Sequence, residues 1–95
     1  MRALIAYDVN TTTPQGRARL RRIAKACEAW GQRVQNSVFE VYLNDVEYMK
    51  LVARVTAIVD ADHDSLRIYP LLAASFDAVI NVGSQRALAD NEWVL

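Results

Sequence analysis

The sequence predicts an α/β fold built from a single domain. Segments rich in Val, Ile, Leu and Tyr, which are typical of strands, alternate with two segments whose apolar residues recur at the helical period. A chain of 95 residues has room for one domain. The predicted order is strand, helix, strand, helix, strand and a short added strand. Two strand–helix–strand crossovers in so short a chain are typical of a ferredoxin-like βαββαβ sandwich.

The first strand is followed by a well-marked helix. Residues 2–7 are almost continuously apolar, and Asp8 ends the run. A polar loop then leads to Thr13 and Pro14, which suit the N-cap and the first position of a helix. Gly31 is typical of the point where such a helix stops.

The middle of the chain predicts a second strand and a second helix. Residues 33–43 are rich in Val, Phe and Tyr and indicate one strand, with a kink or bulge at Asn36-Ser37. Asn44 and Glu47 have the spacing of a capping box and predict the start of the second helix. Each helix is expected to connect strands that are parallel neighbours in the sheet.

The last third of the chain completes the sheet. Residues 65–72 predict the third long strand, and residues 78–82 predict the short added strand. We therefore place the ferredoxin-like domain at 1–83 and a C-terminal tail at 84–95. The tail ends in the apolar Trp93-Val94-Leu95, which suits either a frayed end or a segment that docks on a partner.

The two faces of the predicted sheet are both apolar in the first strand. Ala3, Ile5 and Tyr7 alternate there with Leu4 and Ala6, and strand residues alternate between faces. Both helices are expected on one face, so the second face also needs a cover. A homodimer packing sheet against sheet is the simplest cover, and a tail that folds back is the alternative.

Composition excludes several classes of protein. Charged residues make up 23% and glycine and proline are scarce, which excludes a disordered or collagen-like chain. No uncharged run approaches the roughly 20 residues of a membrane span. The single cysteine, Cys27, excludes a disulfide framework and a cysteine-rich zinc site, and it falls on the apolar stripe of the first helix. We expect a cytoplasmic protein without a membrane partner.

Charge is distributed unevenly along a chain of zero net charge. Residues 1–33 hold seven basic and two acidic side chains, and residues 34–95 hold four basic and nine acidic ones. The basic excess is concentrated on the first helix, at Arg17, Arg19, Arg21, Arg22 and Lys25. This group suits either a solvated helix face or a surface that contacts phosphates without sequence preference.

Asp8 is the carboxylate best placed for chemistry. It follows a predicted strand, where a carboxylate at the sheet edge faces a crevice, although a turn-forming or capping aspartate is the alternative. One carboxylate makes a poor magnesium site. A homodimer whose axis passes near this strand end would bring two copies of Asp8 to one ion, which could activate water and bridge a scissile phosphate.

Other candidate residues suit structural roles better. Asp60, Asp62 and Asp64 form an Asp-x-Asp-x-Asp pattern without the glycine and glutamate of a calcium loop, so we interpret them as a solvated turn with His63 facing solvent. Phe39 suits a core position or a base-stacking platform.

Four motifs together point to a known family. They are Tyr7-Asp8, Arg17-x-Arg19, the stretch Gly31-x-Arg33-Val34-Gln35-x-Ser37-Val38-Phe39-Glu40 and the stretch Asp64-Ser65-Leu66-Arg67-Ile68-Tyr69. From Met1 to about Gly83 the chain resembles the small CRISPR-associated endoribonuclease family, the ferredoxin-like subunit of the spacer-acquisition machinery. The longer loop before Pro14 and the pair Ala26-Cys27 resemble its I-C-type branch.

The resemblance implies a symmetric homodimer with facing sheets. It implies one Mg²⁺ per dimer, shared by Asp8 of both protomers, and metal-dependent cleavage of single-stranded RNA or double-stranded DNA. Asp8 would be the catalytic residue and metal ligand, and Tyr7 would support it.

The resemblance also implies nucleic-acid contacts and a protein partner. Arg17, Arg19, Arg33 and Phe39 match family residues linked to activity, and Arg21 and Arg22 extend the basic helix face. The family bridges subunits of the CRISPR-associated integrase and lies across a prespacer DNA duplex, where the tail could dock on the integrase. Two alternatives to an active nuclease remain at this point, namely a purely structural DNA-bridging subunit and a toxin-like ferredoxin-fold ribonuclease.

Overall fold

The fold is a four-stranded sheet with two helices packed against one face. It is seen in a computed structural model that describes residues 1–72, 74 and 77–83. The elements are β1 (Arg2–Asp8), α1 (Pro14–Glu28), β2 (Gly31–Gln35), β3 (Val38–Tyr42), α2 (Asp45–Ile58) and β4 (Ser65–Leu71). This arrangement confirms the ferredoxin-like βαββαβ prediction.

Strand order explains how the two crossovers fit together. The sheet has the order β2-β3-β1-β4, and every neighbouring pair is antiparallel. Each helix therefore connects two parallel strands that are separated by one antiparallel strand. The expectation that the crossovers join direct neighbours is wrong, because β3 lies between β1 and β2, and β1 lies between β3 and β4.

The predicted second strand is a hairpin. Residues 33–43 were expected as one kinked strand, but a two-residue turn at Asn36 and Ser37 separates β2 from β3. The register between these strands shifts between Arg33 and Gln35, so a bulge does occur, just before the turn. As a hairpin, β2 pairs with the edge of β3 that faces away from β1, so the backbone N–H and C=O groups of β3 are hydrogen-bonded on both sides. A single strand over residues 33–43 would leave that second edge unpaired.

Local sequence signals place both helices. Thr13 caps α1, with its side chain accepting a hydrogen bond from the Gly16 amide, and Pro14 occupies the first turn. Asn44 and Glu47 form the predicted capping box of α2. Both helix starts therefore confirm the sequence prediction.

Gly31 has a different role from the one expected. It begins β2 rather than capping α1, which ends at Glu28. A Cβ atom at position 31 would lie 1.9 Å from the carbonyl oxygen of Glu40 in β3. Glycine is required here because the two backbones approach too closely for any side chain.

The core lies between the sheet and the helices. Its largest fully buried side chains come from two strands, β1 and β3, and from both helices, and are Phe39, Ile5, Ile23, Leu51, Val41, Val55 and Cys27. The predicted core position of Cys27 is confirmed, and burial raises the pKa of its thiol to about 12. Among the described residues, no helix has both the length and the apolar character needed to cross a membrane.

The predicted short strand at 78–82 is not formed. Residues 79–82 have no regular structure, and Ile80 and Val82 are 86% and 94% exposed. A strand needs a sheet edge with which to exchange backbone hydrogen bonds, and this segment pairs with none of the four strands described. The predicted tail at 84–95 lies outside the described residues.

Gly31→Ala should destabilise the fold through this close backbone approach. We expect a loss of about 2 kcal/mol or more in the free energy of unfolding, since β2 must move away from β3 to admit a methyl group. Urea denaturation followed by circular dichroism measures it. Ala53→Ser, at an exposed position of α2, is the control and should change stability by less than about 0.5 kcal/mol. Equal stability of Gly31→Ala and wild type would contradict the assigned role.

Candidate functional site

Asp8 lies at the end of β1 on the face of the sheet away from the helices. Successive residues of β1 alternate between faces, and Ala3, Ile5 and Tyr7 are the buried ones. Asp8, the last residue of the strand, is exposed and belongs to the opposite set. Its carboxylate is therefore directed to the side of the sheet that no helix covers.

We call this uncovered side the open face. In the strand register its residues from β1 and β4 include Leu4, Ala6, Tyr69 and Leu71. Tyr69 and Leu71 remain 40% and 38% exposed, which is unusual for large apolar side chains side by side on a sheet. The structure thus confirms exposed apolar side chains on the second face, which neither helix of the α/β layer covers. Asp77, beyond β4, reaches this face through an ion pair with Arg2 at 3.2 Å.

Residues of β3 also contribute apolar side chains to the open face. Tyr42 is 44% exposed and lies across from Arg2, whose guanidinium carbon is 5.1 Å from the centre of the Tyr42 ring. Val38 lies across from Ala6. The open face therefore combines these apolar side chains with charged ones, and Asp8 lies at one end of it. Its other charged residues are Arg2, Glu40 and Arg67.

Tyr7 lies on the other side of the sheet from the Asp8 carboxylate. It is 4% exposed, and its hydroxyl is buried with no hydrogen-bond partner among the described residues. Burial raises its pKa to about 12. The phenol and the Asp8 carboxylate point to opposite faces of the sheet, so the Tyr7 hydroxyl makes no hydrogen bond to Asp8 in this structure.

Phe39 lies in the same buried cluster as Tyr7, and the partly exposed Arg33 packs at its edge. The rings of Phe39 and Tyr7 are stacked with centroids 6.3 Å apart, and Phe39 is 0% exposed. The guanidinium carbon of Arg33 is 5.2 Å from the centre of the Phe39 ring, and Arg33 also pairs with Glu28 at 3.5 Å. The base-stacking prediction for Phe39 is wrong for this conformation, because its ring has no surface that a base could reach.

Arg19 and Asp64 form the most enclosed ion pair described. Two guanidinium nitrogens of Arg19 donate to the Asp64 carboxylate at 2.8 and 3.2 Å. The side chain of Asp64 is 0% exposed and that of Arg19 is 17% exposed. These hydrogen bonds hold the pKa of Asp64 well below its usual range. The interpretation of 60–64 as a wholly solvated turn is therefore wrong for Asp64, because Arg19 compensates its burial.

The rest of that turn agrees with the sequence analysis. His63 is 59% exposed, as expected, and one of its ring nitrogens lies 3.0 Å from the Asp60 carboxylate. Asp62 is exposed. Neither residue lies in a cluster that suggests catalysis.

The exposed basic residues lie along α1. Arg17, Arg21, Arg22 and Lys25 are exposed, in contrast to Arg19 on the same helix. Arg17 begins this group and donates to the carbonyl oxygen of Thr11 at 3.1 Å, which ties it to the loop after Asp8. The structure therefore separates the predicted nucleic-acid residues into an exposed set on α1, the partly buried and ion-paired Arg19 and Arg33, and the fully buried Phe39.

A metal site is not complete within one chain. The described residues contain no group of three His, Cys, Asp or Glu side chains that could hold an ion. Asp8 nevertheless offers what Mg²⁺ prefers, an exposed carboxylate oxygen on a rigid strand. Asp8 alone therefore fits the ligand chemistry of a hard cation, and the described part of the chain supplies it with no further side-chain ligands.

Sequence reasoning missed the contact between Asp64 and the loop that follows Asp8. The amide of Asn10, two residues after Asp8, donates to the Asp64 carboxylate at 3.0 Å. The two residues are 54 positions apart, so spacing gives no signal. Correct pairing of the first and last long strands would have shown it, because Asp64 precedes Ser65, the register partner of Asp8.

Comparison with known proteins gives a consistent result. The family model "CRISPR associated protein Cas2" matches residues 1–79. A protein of Rhodospirillum rubrum named CRISPR-associated endoribonuclease Cas2 3 is 52% identical over 85 residues, which cover 90% of each chain. A Halalkalibacterium halodurans protein named CRISPR-associated endonuclease Cas2 is 49% identical over 75% of this chain and 74% of its own.

Solved structures agree with the sequence relatives. The crystal structure of Streptococcus pyogenes Cas2 at pH 6.5 superposes with a TM-score of 0.77 and 47% identity, covering 87% of this chain and all of that one. A hypothetical protein from Thermus thermophilus superposes with a TM-score of 0.70 and 31% identity, covering 87% and 90%. The similarity therefore includes the strand that carries Asp8.

Tyr7→Phe tests whether the buried hydroxyl has any structural partner. Because the hydroxyl is unpaired, its removal should leave the free energy of unfolding unchanged or raise it by up to about 1 kcal/mol. Tyr7→Ala is the contrasting variant and should lose about 3–5 kcal/mol through the cavity it leaves. A loss above about 1 kcal/mol in Tyr7→Phe would show that the hydroxyl makes a stabilising bond.

The alkaline titration of Tyr7 follows from the same burial. The fold accepts the neutral phenol, so stability falls as the pH rises from the ordinary pKa of 10.0 toward about 12. Ultraviolet absorbance should show one of the four tyrosines ionising only near pH 12. Tyr7→Phe should remove that step, and its persistence would contradict the assignment.

Proposed function

The chain belongs to the CRISPR-associated Cas2 family, and from this we propose that it is a metal-dependent endonuclease that works as a symmetric homodimer. The observation that carries the proposal is the exposed Asp8 at the end of a central strand, on an apolar open face. The substrate class is single-stranded RNA or double-stranded DNA, since both are cut at the same phosphodiester group. Mg²⁺ is the proposed cofactor, with one ion per dimer.

Pairing of the open faces supports the shared site. Two copies related by a twofold axis would bury the exposed apolar residues of β1, β3 and β4 against each other. Asp8 belongs to that face at the end of a strand, so a twofold axis near it would bring both carboxylates together. Mg²⁺, when bound, supplies neutralisation of phosphate charge and activation of water as the nucleophile.

The residues of this chain have separate tasks in the reaction. The two Asp8 carboxylates hold the ion, and the rigid end of β1 sets where they stand. The exposed arginines of α1 attract and orient the phosphate backbone. Arg19 and Arg33 act differently, because their guanidinium groups are engaged with Asp64 and with Phe39 and Glu28.

A second role is favoured by the exposed basic face of α1. Arg17, Arg21, Arg22 and Lys25 offer four positive charges on one helix without any base-reading pattern. Such a surface suits a DNA-bridging subunit that lies across a prespacer duplex between copies of the CRISPR-associated integrase, with the 84–95 tail as the proposed docking segment. The Cas2 family match favours this role over a toxin-like ribonuclease.

Asp8→Ala tests the nuclease directly. We expect cleavage of RNA and DNA substrates with Mg²⁺ to fall by on the order of a hundredfold or more, because the metal loses its protein ligand. Dimerisation and duplex affinity should remain, since Asp8 is exposed and makes no core contact. Asp62→Ala, which removes another exposed carboxylate, should cleave like wild type. Cleavage by Asp8→Ala, or cleavage that survives EDTA, would refute the nuclease.

Replacement of Arg17, Arg21 and Arg22 by Ala tests the phosphate-binding face. Duplex affinity should fall, and the slope of log affinity against log salt should become shallower by about 2 to 3, near one unit per lost phosphate contact. The matched control is Lys50→Ala with Arg54→Ala, which removes exposed basic charges from α2 instead. Similar effects of both sets would show that binding follows net charge and not the α1 surface.

A further inference from the structure

We propose that Asp64 is a positioning residue for the Asp8 site, because its buried carboxylate fixes the loop that joins Asp8 to the arginine-bearing helix. This inference rests on the proposed nuclease function of Asp8. The loop comprises residues 9–13, between the end of β1 and the start of α1. Asp64 itself never touches the ion or the substrate in this account, and it acts through the loop backbone.

The Asp64 carboxylate collects hydrogen bonds from three separate parts of the chain. It accepts from the Asn10 amide at 3.0 Å, from the Arg19 guanidinium at 2.8 and 3.2 Å and from the Asp60 amide at 2.9 Å. These donors belong to the loop after β1, to α1 and to the turn before β4. A fully buried carboxylate with four such bonds is held in one orientation.

Asp64 directly precedes the residue of β4 that pairs with Asp8 of β1. Asp8 pairs with Ser65 in the register of β1 and β4, and Asp64 directly precedes Ser65. The backbone on either side of Asp8 is thus secured, by the strand pairs before it and by the bond between Asn10 and Asp64 after it. Without that bond, the amide of the exposed Asn10 would bind only water, and nothing described would fix the loop backbone at this point.

Further hydrogen bonds connect this loop to Arg17 in the first turn of α1. The side-chain oxygen of Asn10 accepts hydrogen bonds from the amide and the hydroxyl of Thr12. Arg17 in turn donates to the Thr11 carbonyl. A Cβ atom on Gly16 would lie 1.8 Å from the Asn10 carbonyl oxygen, so the loop also packs tightly against the first turn of α1.

Two consequences follow for the active site. The loop backbone connects the end of β1, which carries Asp8, to the first turn of α1, which carries Arg17, through these hydrogen bonds. Loss of the Asp64 charge should therefore loosen the end of β1 and weaken metal binding at Asp8, although Asp64 is not a ligand. Such an effect is typical of partners that orient a metal ligand.

Asp64→Asn in the full chain is the central test, with two measurements. Hydrogen exchange should show the Asn10 amide exchanging about tenfold faster or more, while the Ile5 amide in the middle of β1 is unchanged. Titration with Mn²⁺, followed by water-proton relaxation, should show weaker binding by about tenfold. Asp62→Asn, in the same turn but exposed, should match wild type in both.

The controls separate this inference from the nuclease proposal. Arg19→Lys keeps the charge but loses the two-nitrogen contact, so it should give an intermediate change in both measurements. It replaces Asp64→Asn as the test if that variant does not fold. Asp8→Ala should abolish Mn²⁺ binding and leave Asn10 exchange unchanged. Full Mn²⁺ binding by Asp8→Ala would refute the Asp8 metal site itself. Unchanged Asn10 exchange in Asp64→Asn, or faster exchange with unchanged Mn²⁺ affinity, would overturn the positioning role alone.

Discussion

The alternation of side chains along β1 is the constraint on which the rest of the molecule depends. β1 is an interior strand of the sheet, with β3 on one side and β4 on the other, so its register is set from both edges. Tyr7 is directed into the core and Asp8, the next residue, is directed to the open face. A slip of one residue would bury the carboxylate and expose the phenol, at a high cost in desolvation.

Because of this alternation, the residues that match the family's motifs lie on two different sides of the sheet. Tyr7, Phe39 and Arg33 lie on the helix-covered side of the sheet. There the rings of Tyr7 and Phe39 stack, and the Arg33 guanidinium lies over the Phe39 ring. Asp8 belongs to the side that is available to a second copy and to substrate. Neighbouring residues of the sequence motif therefore lie in different surroundings, with Tyr7 and Phe39 buried and Asp8 exposed.

The sequence predicted those features that depend on local chemistry. Thr13 with Pro14 and Asn44 with Glu47 marked both helix starts, since caps satisfy amides within a few residues. The hairpin at Asn36-Ser37 was missed because a kinked strand and a tight two-residue hairpin share the same alternating pattern, and no glycine marked the turn. The role of Asp64 was missed because it depends on strand pairing across more than fifty residues. The exposure of Phe39 could not be judged without knowing which face of β3 the helices cover.

The central claim is that two open faces pair and bring the two Asp8 positions together, and Asp8→Cys measures it most directly. Treatment with a short thiol-specific cross-linker in dilute solution should give a covalent dimer, whereas Ala53→Cys on the exposed side of α2 should not. Native Cys27 does not interfere, because it is fully buried with a raised thiol pKa. If the open faces pair, Asp8→Cys alone should form the covalent dimer rapidly. A chain that stays monomeric, or that cross-links equally through Ala53→Cys, would contradict it.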